Sequence, residues 1–331
     1  STASAHEFAA YGVALLSAIG VDAVVFGSEC GQIEILKQAA YALNYESAEF
    51  QERLRKGLKA GLTYPQARAK ALEMEDTWAS VLSSPNNILG IEYLRAAEDL
   101  HSLMEFYTIS RKGSGYHEDT LADANFPSAS AIRGIIRNSL SKDKDLLDIL
   151  ASHLPAVTHP AYTGAVPVFV DDFSELLNAA ILQMQATFSI ADLSPELAAR
   201  LAKPPYFPLS FEKRIQALKT RQLTYTRVSR ALLHLALGMR EEDISRWKDE
   251  GYALYARILG FRRQSSPLLS CLHKKSSIPL ITKMADASQS LAPSALALLE
   301  QEVYASHLYQ TVRMKRSGVF QNEYTEGLVF V

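Results

Sequence analysis

Val21-Asp22-Ala23-Val24-Val25-Phe26-Gly27-Ser28-Glu29 is the stretch on which the fold reading turns. Residues 21–26 form an apolar run rich in β-branched side chains and too short for an ordinary helix, which reads as a buried strand entering a tight turn at Gly27-Ser28-Glu29. Just upstream, residues 5–19 carry apolar side chains at helical spacing and stop at Gly20, a residue that often closes a helix. Helix, strand and turn in that order belong to an α/β domain with a parallel sheet. A second apolar run, LMEFYTI (103–109), supplies another strand and delivers the chain to the polar, glycine-bearing loop SRKGSGYHEDT (110–120).

Between these strands the pattern from Ile33 to Ser80 is helical, with Thr63-Tyr64-Pro65 opening one helix and Ser84-Pro85 opening another over 83–100. Residues 126–140 read as loop into helix. Pro155, Pro160, Gly164 and Pro167 interrupt every periodicity over 155–169, marking a linker. Beyond it, helical stretches are expected near 173–188, 194–202, 210–219 and 223–239, while ARILGF (256–261) and IPLIT (278–282) suit either strands or buried helical turns. The chain's 331 residues match two domains, taken as an α/β unit at 1–150 and a mostly helical unit at 151–331.

Charge is also unevenly divided, with the basic excess inside the second unit. Residues 211–283 hold 15 Lys/Arg against 6 Asp/Glu, and the remainder holds 19 against 30, so a net charge of −2 conceals a basic block beside an acidic body. Such a block suits a polyanionic partner, or a solvated basic surface. No apolar run approaches the ~20 residues of a membrane span, and STASAHEFAAYG lacks the basic start of a signal peptide. Cys30 and Cys271 form no disulfide framework or zinc knuckle, which fits a reducing cytoplasm.

Three features point to phosphate chemistry. At Gly27 the missing side chain lets a ligand approach backbone at the carboxyl edge of the sheet, where α/β folds bind ligands. Arg111 and Lys112 follow the second strand, a planar fork and a point charge able to clamp an anion, with His117 on the same loop. Arg133 falls in the first turn of a helix capped by Ser128 or Ser130, where free N–H groups also attract phosphate. Each has a plain alternative as an ordinary turn or cap. Asn86 and Asn87, after Pro85, can cap their helix or read a ribose or base edge. In the basic block, Arg227, Arg230 and His234 share one helical face, and Lys219, Arg221 and Tyr225 mix cations with an aromatic ring in the manner of RNA contacts; Lys274 and Lys275 add more charge. The eight histidines form no metal-binding spacing, and no Walker, G-x-G-x-x-G or G-x-S-x-G sequence occurs.

In combination, VVFGSE (24–29), SPNNILGIEYL (84–94), SRKGSGYHE (110–118), SASAIR (128–133), LTYTRVSRALLHLAL (223–237), YARILGF (255–261) and IPLITK (278–283) resemble the bacterial tRNA-methionine cytidine acetate ligases, a nucleotidyltransferase-like family, in the family's order over about Glu7 to Lys283. The resemblance implies a nucleotidyltransferase-type, Rossmann-like parallel sheet domain followed by a helical tRNA-binding domain. It implies that ATP activates acetate as acetyl-adenylate, and that the wobble cytidine amine of elongator methionine tRNA takes the acetyl group. The chemistry of the ATP phosphates adds the expectation of a bridging magnesium ion, which keeps several waters and need leave no protein ligand signature. By motif match, Gly27, Asn86, Arg111 and Lys112 would contact ATP, with Arg133 as a helix-start phosphate contact; Lys219, Arg221, Arg227, Arg230, Lys274 and Lys275 are the tRNA candidates. The family opens with a strand and an H-x-G-H loop that are expected upstream of Ser1. A chain without that segment should be inactive by itself. A tRNA-binding protein without catalysis and a small-molecule adenylyltransferase are therefore the alternatives.

Overall fold

In the computed structural model, residues 2–45, 48–62, 67, 70–71, 81–82, 84–111, 128–139, 146–184, 189–203 and 206–331 are described. Helix α1 (Ala5–Ala18) opens on a reciprocal cap: Glu7 N–H donates to the Ser4 hydroxyl at 3.2 Å, and Ser4 N–H donates to the Glu7 carboxylate at 3.0 Å. It ends before Gly20, whose φ of +78° turns the chain into β1 (Ala23–Ser28). Then come α2 (Ile33–Asn44), α3 (Ala48–Lys59), α4 (Pro85–Asp99) and β2 (Glu105–Ser110). The helix start expected at Thr63-Tyr64-Pro65 lies outside the described residues.

The two strands pair in parallel from Ala23 opposite Glu105 to Ser28 opposite Ser110. Strand β1 therefore runs two residues further than its sequence suggests. Gly27 and Ser28 are strand, and the turn falls at Glu29-Cys30-Gly31, where Gly31 has φ +62° and an added Cβ would lie 2.6 Å from the Ser110 Cβ. Ser28 is held in the ladder because its buried hydroxyl reaches Thr108 Oγ1 at 2.7 Å and accepts from Gly31 N–H at 3.0 Å. Parallel strands need a crossover, and α4 supplies its last leg.

Both α1 and α2 pack on α4. One core gathers Leu36, Ala39, Leu43, Ile91 and Leu94 with Phe26; another gathers Ala9, Ala10, Val13, Ala96 and Met104. Buried Gly90 lets α4 approach β1 closely, since a Cβ there would stand 2.4 Å from the Phe26 ring. The buried Glu92 carboxylate ties the helices together, accepting from Arg95 Nη1 at 2.9 Å and lying 3.1 Å from His6 Nδ1, while Arg95 Nε donates to Asn44 Oδ1 at 2.8 Å.

The rest is mostly helical. Helix α5 (Ala129–Ser139) and α6 (Leu146–Leu150) precede single-turn segments over 151–173, the region of the expected linker. Helices α7 (Ser174–Gln183), α8 (Pro195–Leu201), α9 (Phe211–Leu218) and α10 (Tyr225–Leu237) enclose a core of Leu177, Leu197, Phe211, Ile215, Val228 and Leu232. After α11 (Glu241–Asp249), the two ambiguous apolar runs prove to be short strands. β3 (Ala256–Arg257) pairs in parallel with β5 (Leu280–Ile281), and β4 (Gly260–Phe261) pairs in parallel with β6 (Val329–Phe330). Helix α12 (Ser266–Lys275) precedes β5, and the long α13 (Pro293–Ser317) packs Leu299 and Val303 against Tyr255 and Ile281 as a further core. No described helix is long and apolar enough to cross a membrane.

Candidate functional site

Gly27, Asn86 and Arg111, far apart in sequence, meet at the carboxyl edge of β1 and β2. Arg111 N–H donates to Ser28 O at 3.0 Å and so extends the ladder by one residue. Its guanidinium Nη1 stands 4.0 Å from Glu29 Oε1. Gly27 lies beneath the stem of the same arginine: an added Cβ would meet Arg111 Cγ at 3.5 Å, an ordinary contact. Neither φ nor the protein's packing demands glycine at 27, yet its bare backbone keeps the surface beside the arginine open.

Glu29 was part of the quoted strand motif, but nothing in its sequence context assigns it a role. In the structure its carboxylate accepts from Asn87 N–H at 2.8 Å, from Asn86 N–H at 3.3 Å and from Asn86 Nδ2 at 2.6 Å. Ser84, the N-cap residue of α4, makes no capping bond through its own side chain, so Glu29 fills that place from across the fold. Asn87 returns the contact. Its buried Oδ1 accepts from Glu29 N–H at 2.9 Å and from Cys30 N–H at 3.1 Å, which makes Asn87 the structural member of the pair. Burial pushes the Glu29 carboxyl up, but the bonds from the Asn86 side chain and the Asn87 and Asn86 backbones outweigh it and hold the group below the usual carboxylate range. Asn86 gives one of its amide N–H groups to Glu29, and among the described residues its Oδ1 has no protein donor.

Lys112 and His117 lie outside the described residues. Arg133 does not stand in the first turn of its helix as its sequence suggests. Ser128 Oγ accepts from Ala131 N–H at 3.0 Å and so caps α5, which places Arg133 in the second turn. Its guanidinium donates to Ser130 at 3.2 Å, and no described hydrogen bond or ion pair joins it to Arg111, Asn86 or Gly27.

Of the basic residues, Lys219 and Arg227 are exposed beside α9 and at the start of α10, and Lys274 is exposed near the end of α12. Arg221 is exposed too, leaning on the turn at Gly61, where an added Cβ would stand 2.7 Å from its Nη1. Lys275 packs over Gly20 and lies 3.6 Å from Asp22. Arg230 departs from its expected place on an RNA-facing stripe. Its Nε and Nη2 grip Asp192 at 2.7 and 2.8 Å, a two-pronged pair that occupies the fork. The stripe fails because α10 passes from surface to core within two turns: His234 is 2% exposed. Its Nδ1 lies 3.0 Å from Ala191 O and 3.3 Å from Asp192, and its Nε2 lies 2.8 Å from Thr2 O. Both ring nitrogens therefore face acceptors, a setting that only the doubly protonated ring satisfies. Burial alone would lower the imidazole pKa; Asp192 and the two carbonyls reverse that and raise it.

Comparison with known proteins shows the family and the fold. Residues 1–323 match the family model described as HIGH Nucleotidyl Transferase. The tRNA(Met) cytidine acetate ligase of Acetivibrio thermocellus is 33% identical over 99% of this chain and 82% of its own length, and that of Clostridium novyi is 35% identical over 85% and 71%. The crystal structure of apo Thermotoga maritima TmcAL superposes with a TM-score of 0.83 at 24% identity, covering 99% of this chain and 82% of that one; the same protein bound to alpha-thio ATP gives 0.80. The fold is thus the nucleotidyltransferase-like α/β fold that the family resemblance implied, and the chain belongs to the HIGH nucleotidyl transferase family and, within it, to the tRNA(Met) cytidine acetate ligases.

Proposed function

We propose that the protein is an ATP-dependent ligase that acetylates N4 of the wobble cytidine in elongator methionine tRNA. The observation that carries this reading is the meeting of Gly27, Asn86 and Arg111 at the carboxyl edge of the parallel strands, in a chain of this family. Arg111 meets the charge that builds on the α-phosphate when an acetate oxygen attacks phosphorus and pyrophosphate leaves. Lys112 and Arg133 are carried as further phosphate contacts. Asn86 offers its Oδ1 to a ribose hydroxyl or the adenine amine. The cytidine N4 then attacks the acyl carbon of the acetyl-adenylate, AMP departs, and N4 loses a proton. The adenylate already makes that carbon electrophilic, so the chemistry requires no serine or cysteine nucleophile.

Magnesium enters in this reading as part of the nucleotide substrate. Among the described residues no group of three or more His, Cys, Asp or Glu side chains gathers to hold an ion, and Glu29, the carboxylate at the site, is engaged by α4. Residues 1–150 would bind the nucleotide and residues 151–331 the tRNA, with Lys219, Arg221, Arg227, Lys274 and Lys275 facing RNA in the cytoplasm. Arg230 drops out of that set, because releasing it would leave Asp192 unpaired. The test is pyrophosphate release by the full-length protein as its cell makes it. Sustained, multiple-turnover release that requires both acetate and tRNA supports the reading, whereas turnover indifferent to tRNA supports a small-molecule adenylyltransferase.

A further inference from the structure

We propose that Glu29 is a positioning residue for the nucleotide: it never touches ATP, but sets the rotamer of Asn86 and the reach of Arg111. The inference rests on reading this edge as the nucleotide site. Four donors converge on the one carboxylate: Asn86 N–H at 3.3 Å, Asn86 Nδ2 at 2.6 Å, Asn87 N–H at 2.8 Å and Arg111 Nη1 at 4.0 Å. Two of these are backbone groups of α4 and would suffice for a structural cap. The other two belong to the side chains proposed to meet the nucleotide.

The distances assign different effects to the two. The Asn86 amide is bonded outright, which fixes its flip: N–H toward Glu29, carbonyl oxygen away from it. An unfixed amide would present either end to the nucleotide. Arg111 at 4.0 Å is drawn toward Glu29 without a close hydrogen bond, and its side chain is 41% exposed, so its donors remain available to phosphate oxygens. Asn87 makes the arrangement rigid, because its buried Oδ1 holds the Glu29 and Cys30 N–H groups at 2.9 and 3.1 Å. Strand end and helix start are thereby locked in both directions. A negative charge beside an ATP site would repel the nucleotide if it were bare; here one amide, two backbone N–H groups and a guanidinium screen it.

Calorimetric titration with magnesium-ATP of the full-length wild type, Glu29→Gln, Arg111→Ala and the double variant tests this, with tRNA affinity and urea midpoint measured alongside. Glu29→Gln keeps the size but turns one acceptor into a donor facing donors. It should weaken ATP binding about tenfold or more while tRNA affinity stays within twofold. Action through Arg111 predicts that the same change costs distinctly less in the Arg111→Ala background. Full additivity, or unaltered ATP affinity in folded Glu29→Gln, would overturn the proposal. If Glu29→Gln fails to fold, Glu29→Asp decides. It keeps the charge at α4 but draws it back by one methylene, so ATP binding should weaken with the fold retained, and wild-type affinity would overturn the proposal. A wild type that binds no ATP would instead defeat the reading of the site itself.

Discussion

Replacing Gly90 by alanine probes the contact on which the proposed nucleotide site is built. A methyl group at 90 would stand 2.4 Å from Phe26 Cε2 and 3.0 Å from Cζ, so ring or helix must move by about 1 Å to restore van der Waals separation. Neither has much room. Phe26 stacks at a tilt on Tyr93 with centroids 5.7 Å apart, and α4 is packed by both α1 and α2. Overpacking of this kind costs about 1–3 kcal/mol, while alanine in place of glycine within a helix returns roughly 1 kcal/mol. The expected net is a loss of up to about 2 kcal/mol in place of the roughly 1 kcal/mol gain of an unhindered helix position, a difference measurable against a domain stability of roughly 5–15 kcal/mol. Urea denaturation followed by circular dichroism should show a lower midpoint with an unaltered slope. ATP affinity should fall as well, since Asn86 and Asn87 ride on the start of the displaced helix. Shrinking the ring with Phe26→Leu in the same molecule should recover part of both losses. A Gly90→Ala protein about 1 kcal/mol more stable than wild type, as at an unhindered helix position, would refute the close approach of α4 to β1.

Other substitutions separate the site's functions. Gly27→Ala should leave stability within about 0.5 kcal/mol, because its methyl meets only Arg111 at 3.5 Å and beyond, yet should weaken ATP binding several-fold; equal affinity would show that no ligand comes near residue 27. Lys274→Ala with Lys275→Ala should lower tRNA affinity and flatten its dependence on salt while ATP affinity holds, and parallel losses of both would contradict a division between nucleotide and RNA surfaces. His234 carries a raised pKa in the folded protein, so its contribution to stability is full below the ordinary histidine value near 6.5 and is lost as pH rises through the folded value. Asp192, held well below the carboxylate range first by Arg230, contributes in the opposite sense and loses its share only in acid. Urea midpoints across pH 6 to 9 should therefore fall more steeply for wild type than for His234→Gln, and identical profiles would remove His234 from the account.

How much of this was legible in the sequence differs from element to element. The α1–β1 unit was readable because helical spacing gives way abruptly to a β-branched run at a glycine. The end of β1 was not, since a Gly-Ser pair that resembles a turn remains strand when a partner ladder continues opposite it and the serine hydroxyl is buried. Arg111 and Asn86 were singled out as candidates by a cation after a strand and an amide after a proline, with the family resemblance choosing Asn86 over Asn87. Glu29 escaped because its partners lie 57 and 58 residues away, and no local periodicity records a helix capped from another strand. Arg230 was misplaced for the related reason that helical spacing identifies a face without saying whether Asp192 stands opposite it. The two-residue strands near 256–261 and 280–281 were undecidable from patterns of that length.

Formation of N4-acetylcytidine is the most direct test of the central claim. Elongator methionine tRNA lacking the modification, incubated with the full-length protein as its cell makes it, ATP, magnesium and labelled acetate, should acquire label at the wobble cytidine and release AMP and pyrophosphate in equal amounts; Arg111→Ala should abolish most of it. Tight, salt-sensitive tRNA binding with no label transferred would contradict the account and leave an RNA-binding protein in its place.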